Sequence, residues 1–179
     1  MSNESYFTTR DIALTGVFSA IWVILNLTLG PLSFMLTHLP VIHDMGVFFT
    51  LLIVAWITGR FGTSSIAGIV GSILAMLISG MALMVGFLPA AIVFDLVLIA
   101  NHHRIDVSKY SLIVAAAATI LAAYVAGVVI GLLFMGMGVQ MALIFWGVWH
   151  AIGGVMAFVI AFPVIALLDK ANVRKIRSD

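Results

Sequence analysis

The chain has 179 residues, 64% of them hydrophobic and only 8% charged, with a mean hydropathy of +1.27. A soluble domain carries roughly 25% charged residues, so this composition defines a polytopic membrane protein, and about six spans of ~20 residues use up the length. No G-x-x-x-x-G-K-[ST] loop is present, so ATP-driven work requires a partner chain, and the absence of cysteine removes disulfides and thiolate metal sites together.

The expected fold is an all-α bundle of six transmembrane helices in one domain, residues 1–179. Helix one covers 11–29, entered through Thr8, Thr9 and Asp11 as possible caps and closed by Gly30-Pro31. Gly16 and Ala20, extended by Ala13, form a small-residue stripe on which another helix can lie close. Pro31 to His43 is apolar, but it is too short and too broken by prolines to span, and it reads as a lid or re-entrant loop. Helix two covers 44–58 and is closed by Gly59-Arg60-Phe61-Gly62. Helix three covers 64–78, with a second small-residue face that includes Gly68 and Ser72. Helix four covers 86–100, with Pro89 in its first turn, where proline is tolerated, and Asp95 near its middle. A polar connection follows, holding His102, His103, Arg104, Asp106 and Lys109. Helix five covers 111–134 with Tyr124 at its centre, and helix six covers 140–169.

With six spans and both termini cytoplasmic, all Lys and Arg residues fall on the inner side: Arg10, Arg60, Arg104, Lys109, Lys170, Arg174, Lys175 and Arg177. The outer loops carry none, and a missed span would scatter these charges. The N-terminal residues lack the basic start and apolar core of a cleaved signal peptide.

Helix six carries the densest chemistry. Trp146, Trp149 and His150 stand at i, i+3 and i+4, on one helix face, with Gly147, Gly153 and Gly154 leaving room for neighbouring helices. Counting residues at ~1.5 Å each places Asp95 and His150 at similar depth. A buried carboxylate costs on the order of 2.5 kcal/mol or more in lipid, which marks Asp95 as the sharpest candidate. The expected substrate site therefore joins Asp95, Trp146, Trp149 and His150 with Asn26 and Tyr124, under a lid holding His38, His43 and Asp44. His38, His43, Asp44 and His150 are metal-competent, but their spacing matches no fixed ligand pair, and no metal or other cofactor is assigned. Neither G-x-S-x-G nor H-E-x-x-H is present, so no enzyme is expected.

The stretches A-L-T-G-V-F-S-A-I-W (Ala13 to Trp22), L-P-V-I-H-D-M-G (Leu39 to Gly46) and G-R-F-G-T-S-S-I-A-G-I-V-G (Gly59 to Gly71) give the chain its likeness. It resembles the substrate-binding S components of energy-coupling factor (ECF) importers. The resemblance covers the layout of the whole chain and is sparse residue by residue. It implies a prokaryotic plasma-membrane subunit that captures a vitamin or precursor from outside. Its partners would be a transmembrane coupling subunit and two ATPases. Ala13, Gly16 and Ala20, with Gly68 and Ser72, are the implied docking surface, with Gly16 standing where the family's motif has alanine. The loop between helices one and two is the implied gate. Two tryptophans and one acid look like thiamine-type sites, with Asp95 answering the cation and the indoles offering cation-π faces. The alternatives are a nickel or cobalt uptake subunit, which the Met1-Ser2 start disfavours because metal members of the family begin Met-His, or a membrane scaffold without transport.

Overall fold

The computed structural model describes residues 6–171 and Val173; Arg174, Lys175 and Arg177 lie outside the described residues. The described residues form six helices and no strand. These are α1 (Thr9–Thr37), α2 (Val41–Thr58), α3 (Thr63–Ser79), α4 (Phe87–Leu98, between 3-10 turns Ala82–Gly86 and Ile99–Asn101), α5 (Lys109–Leu133) and α6 (Val139–Lys170). Five helical stretches are long and apolar enough to cross a membrane. The apolar α3, at 17 residues, is shorter.

Helix α1 starts with a reciprocal cap: Thr8 Oγ1 accepts from Asp11 N at 3.1 Å, and Asp11 Oδ2 accepts from Thr8 N at 3.0 Å. The same carboxylate lies 2.8 Å from Arg60 Nε, which ties the start of α1 to the α2–α3 turn. That turn uses Gly59 and Gly62 at φ 58° and 95°, left-handed backbone that glycine adopts without strain.

The outer part of α1 corrects the expected boundary. The helix does not stop at Gly30-Pro31 but carries Pro31 inside it and runs on to Thr37. Within an apolar helix, one lost backbone bond is tolerated where neighbouring groups compensate. Ser33 supports this stretch from the side: its Oγ donates to Leu39 O at 2.6 Å and accepts from Ile42 N at 3.0 Å, joining the end of α1 to the start of α2. The expected lid is thus two helix ends joined by His38, Leu39 and Pro40.

Between lipid-facing helices hydrophobic burial offers little drive, so close packing of small residues carries the association. A Cβ on Gly153 would sit 2.5 Å from Asp44 Cβ and 2.9 Å from Val41 O, so α2 lies directly on α6 there. On the α5 side, a Cβ on Gly154 would lie 2.9 Å from Thr119 O, and one on Gly147 would lie 2.8 Å from the Tyr124 ring. Helix α6 is therefore gripped from two sides through its glycines, as its sequence implied. Gly68 and Ser72 behave differently from expectation. Both are buried, a Cβ on Gly68 would lie 2.5 Å from the Ala91 methyl, and Ser72 Oγ donates to Gly68 O at 2.6 Å. This face of α3 is turned into the bundle interior.

Candidate functional site

A cavity of about 390 Å³ opens among α1, α2, the α3–α4 connection, α5 and α6, at the end of the bundle that holds the 38–40 and 134–138 connections. Arg10, Arg60, Arg104, Lys109 and Lys170 all lie at helix ends or turns of the opposite end. The volume falls within the ~300–1,000 Å³ usual for small-molecule sites.

The walls are aromatic. Phe34 of α1 stacks on Trp146 with centroids 6.3 Å apart and planes at 27°, and Trp146 meets the His150 ring edge to face at 5.5 Å. Phe87 stands edge to face against His43 at 5.2 Å. Trp146 ends a π-helical turn, Ala142–Trp146, within α6. Such an inserted turn is common at functional sites because it shifts the helix face beyond it. His150, one turn further, has its ring against Gly127 of α5, where a Cβ would come within 2.7 Å of the imidazole. Only a glycine there leaves the ring its place.

Behind the two histidines sits Asp44, fully buried. Its Oδ2 lies 2.6 Å from His150 Nδ1 and its Oδ1 lies 3.3 Å from His43 Nδ1. Its position in the first turn of α2 also places the carboxylate near the positive end of that helix dipole. His43 and His150 line the cavity, and the Nε2 atoms of both are buried without a protein partner. The same holds for both amide atoms of Asn26 and for the Trp146 indole N–H. A buried polar group without a partner costs roughly 1–3 kcal/mol, and four such side chains around one cavity are what a ligand would satisfy.

Of the residues expected at the site, Asn26, His43, Trp146 and His150 line the cavity, and Asp44 stands directly behind it. Four others are placed elsewhere. Trp149 turns away and packs edge to face on Phe145 at 6.3 Å, because consecutive helical residues point ~100° apart and His150 takes the cavity side. Tyr124 packs its ring on Gly147, and His38 caps α1 in left-handed conformation, exposed. Asp95 is the main correction. It stands in the last turn of α4, and its Oδ2 accepts from the backbone N–H groups of Gly62 (3.1 Å) and Ser65 (2.7 Å) at the start of α3. The carboxylate is thus an acceptor for orphan helix donors supplied from another helix. His103 Nδ1 lies 3.8 Å from it, and burial pushes that imidazole below its ordinary range against the pull of Asp95.

Asp95→Asn should accordingly lower unfolding stability by about 1–3 kcal/mol through weaker bonds to the α3 N-terminus while leaving cavity binding unchanged. Chemical unfolding in detergent, set beside a binding titration on the same variant, checks both halves. A binding loss without a stability loss would return Asp95 to the site.

Phe34 and Phe87 were not singled out from sequence. Phe34 fell in the supposed loop, and Phe87 looks like any apolar residue until its place beside His43 is known. Among the described residues no three His, Asp or Glu side chains are arranged to hold a metal ion. The fold and cavity define a helical membrane protein with a binding-type chamber at one end. No family model, curated protein or solved structure matches the chain.

Proposed function

We propose that the chain is the membrane-embedded substrate-binding subunit of an ECF-type importer, taking a small heterocyclic vitamin or precursor, thiamine-like in its rings, from the outer face. The observation that carries this reading is the aromatic cavity with unpartnered polar atoms on Asn26, His43, Trp146 and His150. By the positive-inside rule, the end holding the basic residues is cytoplasmic, so the cavity opens outward and both termini lie inside. A scaffold that used polar groups only to pin helices would have every polar atom answered, whereas both amide atoms of Asn26, the Trp146 indole N–H and the Nε2 atoms of His43 and His150 have no protein partner. A nickel or cobalt subunit needs a converging set of ligands, and among the described residues no three His, Asp or Glu side chains are so arranged.

Ala13, Gly16 and Ala20 are exposed on the outer face of α1, and a Cβ on Gly16 would meet nothing within 4 Å. This open stripe fits a coupling subunit, which in turn would bring the two ATPases. Gly16→Leu should leave stability and cavity binding intact and abolish co-purification of the coupling subunit. Unchanged co-purification would remove α1 from the interface.

The reading itself is tested by mass spectrometry of small molecules retained by the chain in mild detergent, with thiamine titration calorimetry beside it. Retention of a heterocycle, or saturable thiamine binding, is expected. A chain that retains nothing and binds no thiamine ends the vitamin assignment.

A further inference from the structure

The arrangement of His43, Asp44 and His150 constrains the hydrogen-bonding character of whatever enters the cavity. Both Nδ1 atoms face oxygens of the same carboxylate, at 3.3 Å and 2.6 Å. A carboxylate oxygen only accepts, so the tautomer that suits each of these contacts carries its proton on Nδ1. Asp44 carries one negative charge and can balance one positive imidazole at most. A second imidazolium would be an uncompensated charge in a buried, apolar setting, which is far costlier than a neutral ring. At least one of the two rings is therefore neutral with its proton on Nδ1, and its Nε2 is a bare lone pair. Both Nε2 atoms are buried without a protein partner on residues that line the cavity. The carboxylate behind sets the tautomer and the ring orientation, as second-layer carboxylates do for metal-bound histidines.

We propose that the cavity selects a planar heterocycle bearing an N–H or amino donor, which it gives to the bare Nε2 of the His43–Asp44–His150 group while its ring lies among Phe34, Phe87 and Trp146. Asn26, with donor and acceptor both unpartnered, answers a second polar position on the same ring system. This rests on the reading of the cavity as a ligand site. It adds the sign of the recognition: a ring presenting only acceptors toward the histidines leaves a lone pair facing a lone pair. A site built around a hydrogen bond rejects the analogue that lacks it far more strongly than a site built on shape.

The full chain in detergent serves for both arms of the test. Histidine labelled with 15N reports the tautomers by NMR, with His43→Gln and His150→Gln assigning the two signals among the five histidines. At least one neutral ring with an unprotonated Nε2 is expected. Finding both rings protonated at Nε2 overturns the proposal, whatever binds. In the second arm, 4-amino-5-hydroxymethyl-2-methylpyrimidine and its 4-methyl counterpart, nearly equal in size, are titrated against the unmodified chain. The amino compound should bind at least about tenfold tighter, the ratio expected for one well-placed hydrogen bond. Equal affinity overturns the donor requirement and leaves the cavity reading standing. Binding of neither overturns the donor requirement too, and the cavity reading falls with it only if no small molecule co-purifies.

Discussion

Asp44→Ala should lower the unfolding free energy by about 3–5 kcal/mol, the cost of removing one partner from a buried charge group. Two imidazoles depend on this carboxylate, one on its own helix and one on α6, so the loss is felt by both helices. A Cβ-only side chain takes both oxygens away from the two Nδ1 atoms, and at the α2–α6 contact it removes the Oδ2 near Gly153 while the Cβ and Val41 O remain. Asp44→Asn keeps the volume and one acceptor oxygen, so it should fall between the wild type and Asp44→Ala. Chemical unfolding of the three proteins in detergent gives the order. An Asp44→Ala protein as stable as the wild type would mean that the carboxylate contributes nothing to holding α2 and α6 together.

The second large effect is steric. Gly153→Val should cost about 3 kcal/mol or more, at the upper end of overpacking losses, because the new side chain meets backbone and not a flexible tip. A Cβ at this position would already lie 2.9 Å from Val41 O and 2.5 Å from Asp44 Cβ, so α2 and α6 must separate along the line that positions Asp44 against His150. Ligand binding should be lost together with stability. Gly138→Ala is the matched control, because a Cβ there meets nothing within 4 Å and the backbone is extended. Thermal unfolding followed by size-exclusion chromatography in detergent separates the two variants. Equal melting of Gly153→Val and the wild type would remove the tight α2–α6 contact from the account.

These two predictions turn on residues that the sequence presents in different ways. Gly153 was legible: with Gly147 and Gly154 it lies near Trp146 and His150 in one apolar helix, and small residues on such a helix imply close neighbours. Trp146 and His150 were legible for a related reason, since i and i+4 share a face whatever the helix packs against. The sequence places Asp44 in an outer lid and makes Asp95 the acid of the site; the structure buries both, and it is Asp44 that stands behind the cavity. Counting residues from helix ends compares depths only where the ends are level. They are not: α1 runs on past Pro31 to Thr37, α2 restarts at Val41 beneath it, and the α4 stretch begins as a 3-10 turn at Ala82. Asp44 is thereby covered by its neighbours, and Asp95 is brought to the start of α3, where orphan N–H groups await an acceptor.

The sequence by itself determined that the chain is a bundle of apolar helices, where its turns lie from Gly59 onward, and that Lys and Arg gather at one end; the α1–α2 turn escaped it, because Pro31 lies inside α1. Composition, glycine placement and charge are local quantities, and they act before any two helices meet. Which small-residue face is open and which is filled was decided only in the tertiary structure: Gly16 and Gly68 are equivalent as letters, yet one faces open space and the other the Ala91 methyl. The same is true of the cavity. Asn26, His43, Phe34, Phe87, Trp146 and His150 come from four helices, α1, α2, α4 and α6, and their meeting depends on how far each helix is shifted along its neighbours. In a helix pair packed through small residues, that shift is set by side-chain complementarity across the contact, a property of two helices together and of neither alone.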